Sequence, residues 1–329
     1  MMRVIHDLRE LSSPLDASVV TVGNFDGVHL AHQMLLRRVV ETARGLDAAA
    51  TAITFEPHPI SLLAPARAPR LLTPLARKIS LIEKEGIDLL VVLPFTRELA
   101  HLSPLEFVRR VLVDPLRAVS VHVGPNFRFG YRQSGDIEVL AELASLQGFK
   151  LSILPLLEVR GHPVSSTCIR ELIAAGQVHI ASRLLGRPFS TYGRIVAGMG
   201  VGHKHTVPTL NLAPVEEQIP KIGVYVTQTI LGDTAHDSVT NVGNRPTFGA
   251  HELTIETHLL NYTGEVAAPE MEIVYLYRLR DEMKFQNPAI LKIQILEDTR
   301  RALKFFRLLE TFRPRLVKPQ PAPIPGSRI

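Results

Sequence analysis

A change of texture part-way along the chain constrains its fold more than any single motif. From Ser18 onward, short β-branched runs alternate with amphipathic stretches: SVVTVG with MLLRRVVETARGL, ATAITF with PLARKISLIEKEG, DLLVVLPF with SPLEFVRRVLV, AVSVHVG with IEVLAELASLQG, and finally KLSILPL. Strands that are apolar along their length need cover on both faces. This half is therefore predicted to be a doubly wound parallel sheet with helices on each side and its ligands at the carboxyl ends of the strands. Ser103, Pro104 and Glu106 form a capping-box start for one of those helices. After Gly186 the sequence becomes STYGRIVAG, TVPTLNL, GVYVTQTIL, DSVTNVG, LTIETHLL and MEIVYLYRLR, strands without helices between them, which predicts an antiparallel β-barrel. A last amphipathic stretch puts Leu291, Ile295, Ala302 and Phe306 on one helical face, suited to cover that barrel.

The boundary is placed near Arg187, giving domains at residues 1–187 and 188–315, and 329 residues suffice for two separate cores. The last stretch, 316–329, is LVKPQPAPIPGSRI, proline-rich and aperiodic, and is expected to lie in solvent or along the surface. The 37 basic residues exceed the 32 acidic ones only mildly and along the whole chain, so nucleic acid is not demanded. Polyphosphate substrates or a plain solvated surface account for the same bias. The single cysteine, Cys168, excludes an internal disulfide framework and a cysteine-rich metal site. A signal pattern and a run of about 18 apolar residues are both lacking. The expectation is a soluble cytoplasmic protein with neither membrane nor nucleic-acid partner, with homo-oligomerisation left open.

Directly after the first strand of the alternation comes TVGNFDGVHLAHQ. Gly23 and Gly27 permit close approach of backbone to ligand, and His29 and His32 open a helix, a location suited to polyphosphate. Two imidazoles there can donate to phosphate oxygens as pyrophosphate leaves. By itself an HxxH pair is weak evidence and is more often a chance occurrence. Zinc is not indicated, since the glutamate of HExxH and the one-turn spacing are missing.

The neighbours of this pair carry a resemblance. GNFDGVHLAH, ITFEPHP at 53–59, VGPNFRFG at 123–130 and VSSTCIRELIAAGQV at 164–178 are similar, in order, to the bacterial bifunctional riboflavin kinase/FAD synthetase family. The resemblance implies that Gly23, Asn24, Phe25, Asp26, His29 and His32 hold ATP. It also implies that Ser165, Ser166, Thr167 and Arg170 contact phosphates near the adenylyl-transfer point, with Arg170 catalytic. Asn126 is implied to help hold nucleotide and flavin phosphate, and Phe55, Pro57, His58 and Pro59 to touch the flavin. Helix capping for the serines and a proline-bounded loop for FEPHP remain the alternatives. Two departures from the family pattern are Ala31 in place of a glycine and YRQSGD in place of a loop richer in glycine and arginine.

In the second half GRIVAGMGVGHKHTVPTLNL resembles the kinase signature of the same family, with PTLN in place of PTAN. Gly198, Gly200 and Gly202 would let backbone amides approach phosphates, with His203, Lys204 and His205 as donors or positive charge. Thr206 replaces a glycine and Leu210 an alanine. The resemblance makes Gly198, Gly202, Lys204 and Thr206 ATP contacts and Thr209 and Asn211 holders of Mg2+, hard oxygen donors two apart on an extended segment. It makes Glu256 the base that takes the proton of the riboflavin 5′-hydroxyl, and Arg280 and Phe285 part of a flap around the flavin. The expected chemistry is phosphorylation of riboflavin to FMN, then adenylylation of FMN to FAD, with ATP, riboflavin and FMN as substrates. Rival readings are a chain keeping one activity only, and a non-catalytic flavin- or nucleotide-binding regulator.

Overall fold

The structure, a computed structural model, describes residues 1–196, 209–247, 250–263 and 266–312. Gly198, Gly202, Lys204 and Thr206, with His203, His205 and the proline-rich tail, lie outside the described residues. Contacts divide the chain into two units, one from Met1 to Ser166 and one beginning at Thr167.

The first unit is built on six parallel strands: β1 (Arg3–Ile5), β2 (Ser18–Val22), β3 (Ala49–Glu56), β4 (Leu89–Pro94), β5 (Ala118–Val123) and β6 (Lys150–Ile153). Their order is β1-β4-β3-β2-β5-β6. The chain winds outward from β2 through β3 to β4, then returns to lay β5 against the other edge of β2. A crevice opens at the carboxyl ends of strands where the order reverses in this way, here between β2 and β5. All five residues of β2 are buried, as a central strand covered on both faces requires.

One face of the sheet carries α1 (Leu30–Gly45), whose Leu35, Leu36, Val39 and Ala43 are buried with Val19, Ala52 and Leu90. A short helix, α2 (Pro59–Leu63), follows β3, and Ile82 of α3 (Leu75–Glu83) joins α1 on the same face. After the four-residue α4 (Arg97–Ala100), the other face is covered by α5 (Pro104–Phe107) and its π-helical continuation through Val113, and by α6 (Ile137–Gln147). The Ser103–Glu106 capping box forms in both directions, Glu106 N–H to Ser103 Oγ at 3.3 Å and Ser103 N–H to Glu106 Oε2 at 2.9 Å. Two features escape the sequence pattern: the three-residue edge strand β1, too short for a period, and the small hairpin of β7 (Glu158–Val159) and β8 (His162–Pro163).

The second unit opens with α7 (Ser166–Ala174) and α8 (Val178–Leu185), where the sequence reading put the boundary near Arg187. By pattern these helices continue the alternation. In α8, Val178, Ala181, Leu184 and Leu185 are buried, and the helix packs on β9 (Phe189–Val196) and on β14, described next. The remaining strands are β10 (Leu210–Leu212), β11 (Gly223–Leu231), β12 (Thr234–Thr247), β13 (Ala250–Leu259) and β14 (Glu270–Arg280). They close an antiparallel barrel in the order β10-β13-β12-β11-β14-β9. The helix α9 (Pro288–Phe312) covers it, with Ala302 and Phe306 buried against Val226 and Leu260 and packed on Val239.

Side chains alternate across a strand, so the neighbours of Val226 and Val239 turn into the barrel. There Thr227, Thr240 and Thr257 are fully buried and bond to one another, Thr227 to Thr240 at 2.7 Å and Thr240 to Thr257 at 2.9 Å. Mutual bonding is what permits hydroxyls inside a core.

Candidate functional sites

In the first unit the site begins where β2 ends. Gly23 N–H closes on the Ile53 carbonyl at 3.0 Å, and a Cβ at Gly23 would lie 3.3 Å from the Phe25 ring, so glycine leaves that ring its place. The next turn is strained: Phe25, Gly27 and Val28 have φ of 47°, 84° and 40°. Positive φ at a β-branched residue persists only where surroundings enforce it. The enforcing contacts are visible. The Asp26 carboxylate accepts from the N–H groups of Leu72 at 3.0 Å and Thr73 at 3.2 Å, and Ser166 Oγ donates to the Asp26 carbonyl at 2.9 Å.

This turn delivers His29 to the N-cap of α1, its Nδ1 accepting the His32 N–H at 3.3 Å. The ring proton of neutral His29 therefore sits on Nε2. The two imidazoles stack with centroids 3.6 Å apart and planes 14° from parallel. Burial, then the His29 ring, then the Lys78 ammonium hold the pKa of His32 well below its usual value of 6.5, and its Nδ1 is buried without a hydrogen-bond partner among the described residues. Alongside, a cavity of about 610 Å³ follows α1, walled by Leu30, Met34, Leu154, Pro155 and Leu157, with Arg38 in its lining.

Two of the expected ATP contacts have side chains that turn inward. Phe25 is fully buried and meets His32 edge-on at 5.2 Å, so its side chain supports the histidine. The side chain of Asp26, 1% exposed, is occupied by backbone N–H groups and holds the turn. Of the flavin-side candidates, Phe55 is half-buried against Phe95, and His58 caps α2 through Nδ1 at 3.3 Å from Ile60 N. Pro57 and Asn126 are exposed and Pro59 and Asn24 half-buried. Ser165 and Ser166 close the first unit at the Asp26 turn, whereas Thr167 and the half-buried Arg170 lie on the helix with which the second unit begins.

In the second unit the ladder builds the site. Asn211 on β10 pairs with Glu256 on β13, and Glu256 pairs with Asn241 on β12. Residues directly opposed in a sheet put their side chains on the same face, about 5 Å apart, so an amide, a carboxylate and a second amide form one row. Thr209 is exposed at the entry to β10, two positions from Asn211. Beside the row, a Cβ at Gly243 would fall 2.3 Å from Glu282 Oε1 and 3.0 Å from Asn241 Nδ2, so this glycine leaves the Glu282 carboxylate room against β12. Arg280 is placed differently from a simple flavin contact. Its guanidinium grips Asp298 on α9, Nε to Oδ1 at 3.0 Å and Nη2 to Oδ2 at 2.7 Å, while its Cζ lies 6.0 Å from the Phe285 ring centre.

Sequence reasoning gave no role to Lys78, Asn241 or Asp298. Lys78 carried a signal, since Leu75, Lys78, Ile79 and Ile82 form an apolar helical stripe interrupted by a lysine. Asn241 carried another, an asparagine within a β-branched strand. Asp298 carried none.

Comparison with known proteins fits both halves. A family model described as FAD synthetase matches residues 12–168, and one described as riboflavin kinase matches residues 185–306. The bifunctional riboflavin kinase/FMN adenylyltransferase of Pseudomonas fluorescens is 35% identical over 298 residues, 90% of this chain and 96% of that one. The protein of the same description from Escherichia coli K12 is 34% identical over 310 residues, covering 94% of this chain and 98% of its own length. The crystal structure of a macrolide-efflux protein from Streptococcus pneumoniae superposes with a TM-score of 0.80 at 27% identity, covering 90% of this chain and 97% of that one. With a domain of each kind in the expected order and relatives matched nearly end to end, the chain belongs to the family of bifunctional riboflavin kinases/FMN adenylyltransferases.

Proposed function

We propose that, in making FAD from riboflavin by way of FMN, this chain phosphorylates riboflavin at the Asn211–Glu256–Asn241 row and adenylylates FMN at the His29–His32 pair. The observation that supports the kinase site most directly is the double pairing of Glu256 with two amides. A carboxylate flanked by amides keeps its acceptor oxygens oriented. Glu256 accepts the proton of the riboflavin 5′-hydroxyl while that oxygen bonds to the γ-phosphorus of ATP, and the bond to the bridging oxygen breaks to release ADP. The hydroxyl and amide oxygens of Thr209 and Asn211 fit the hard ligand preference of Mg2+ and would hold it, where it would screen phosphate charge. Phe285, braced by Arg280, borders the flavin.

At the first site, the phosphate of FMN attacks the α-phosphorus of ATP and pyrophosphate departs. His29 Nε2–H, the N-terminus of α1 and the hydroxyl of Ser165 meet the charge that develops on the leaving group. The apolar walls and volume of the cavity along α1 suit the purine. Small molecules, namely ATP, riboflavin and FMN, suffice as partners, and a need for ATP together with a single cysteine supports a cytoplasmic setting.

The test is to incubate the protein with riboflavin and MgATP, and separately with FMN and MgATP, and to resolve the flavins by chromatography. FAD from both mixtures is expected. FMN as the end product of the first, or no product from either, would overturn the assignment.

A further inference from the structure

Lys78 is 3% exposed, and among the described residues its ammonium makes one long hydrogen bond, 3.4 Å to Thr54 Oγ1. An ammonium can donate three, so this charge is not held there by hydrogen bonding. Burial pushes the pKa of Lys78 down, and only the negative charges of Asp26 and Glu56 oppose that. The groups that face it come from three elements besides its own helix: Asp26 on the turn after β2, Glu56 at the end of β3, and His32 on α1. Thr54, its hydroxyl neighbour, in turn donates to the Asn24 carbonyl at 3.1 Å. The ammonium thus lies among the Gly23–Val28 turn, the end of β3 and the histidine pair that the turn delivers.

We propose that Lys78 is a positioning residue of the adenylyl-transfer site: a fixed cation beneath the Gly23–Val28 turn that steadies Asp26 and sets the charge with which His32 meets the polyphosphate. The inference rests on the assignment of His29 and His32 to adenylyl transfer. In the empty site the ammonium repels a proton on His32, adding to the effects of burial and of the His29 ring. The imidazole is then neutral at rest, and repulsion within the site does not build up before substrate arrives. Bound polyphosphate reverses the local sign, so that protonation of His32 becomes favourable only when there is anionic charge to stabilise.

The His32 ring can be followed directly by NMR in the full chain, its Cε1–H resonance identified by its loss in H32Q. In Lys78→Met the titration midpoint of His32 is expected to rise by about 1 pH unit, the size of shift a nearby charge produces. FAD formation from FMN should fall at least about tenfold in kcat, a drop equivalent to about 1.4 kcal/mol, while phosphorylation of riboflavin continues. Lys78→Arg, which keeps the charge, should leave the midpoint near its original value. A His32 midpoint unmoved in K78M, or moved equally in K78R, would overturn the proposal. If K78M loses the dispersed histidine spectrum of a folded chain, Lys78→Gln puts the same question with a polar side chain. Undiminished FAD formation by H32Q would instead sink the histidine assignment itself, whatever Lys78 does.

Discussion

Glu256 stands directly opposite Asn211 across the ladder between β10 and β13, and its other neighbour in the same row is Asn241. Removing the carboxylate's charge without its shape isolates its role as a base. Glu256→Gln is expected to lower FMN formation from riboflavin by roughly 10²–10⁴-fold, while FAD formation from supplied FMN is unchanged. Paired assays from riboflavin and from FMN measure this, and loss of both would point to misfolding or tight coupling of the units.

The stacked imidazoles predict the reverse separation. His29→Ala with His32→Ala should cut FAD formation from FMN by roughly 10²–10³-fold per donor removed and leave FMN formation intact. Because His29 also caps α1 through its Nδ1, His29→Asn, which retains a capping oxygen, should recover helix stability but not turnover. Recovery of turnover in H29N would reduce the role of His29 to capping.

The Arg280–Asp298 pair is nearly withdrawn from water, with side-chain exposures of 15% and 4%, and it joins the last barrel strand to α9. Asp298→Ala strands a buried guanidinium and should cost about 3–5 kcal/mol, whereas replacing both partners by apolar residues of similar size should cost much less. Urea unfolding of the two variants compares them. Equal losses would mean the pair contributes little beyond its volume.

His122, 2% exposed on β5, bonds through Nε2 to Ser120 Oγ at 3.2 Å, and among the described residues its Nδ1 has no hydrogen-bond partner. Burial first, and the Arg38 charge second, hold its pKa below 6.5. Unfolding returns it to that value, so below about pH 6.5 the unfolded chain binds more protons than the folded one and stability falls as the pH drops. His32 contributes with the same sign. His122→Val should therefore narrow the difference between urea midpoints at pH 7.5 and pH 5.5 without removing it. An unchanged difference would show that His122 does not titrate across unfolding.

Much of the architecture was legible because its signals are local. Alternation with a period of two and stripes with a period of 3.6 are written into runs of five to sixteen residues, so the parallel sheet, the barrel strands and the Ala302–Phe306 face of α9 could be read directly. The short strand β1 could not, since three residues define no period. Nor could the affiliation of α7 and α8, which look like two more helices of the first half until burial of Val178, Ala181, Leu184 and Leu185 ties α8 to the barrel.

The candidate sites divide in the same way. His29 and His32 are neighbours because a helix makes them so, and their order along the chain already implied a pair at an N-terminus. Phe25 and Asp26, adjacent in the same motif, turn inward for a reason no local pattern carries: the strained turn aims one ring beneath His32 and one carboxylate at Leu72 and Thr73. Lys78 shows up in sequence as a lysine in an apolar stripe, but whether such a residue bends out to water or stays in as a buried charge depends on the groups packed around it. By itself, then, the sequence determined the elements, their order and the residues whose partners lie within a turn of helix. The row of Asn211, Glu256 and Asn241, and the charge placed under His32, were decided by the tertiary structure alone, because strand order and helix packing bring together residues that no spacing along the chain relates.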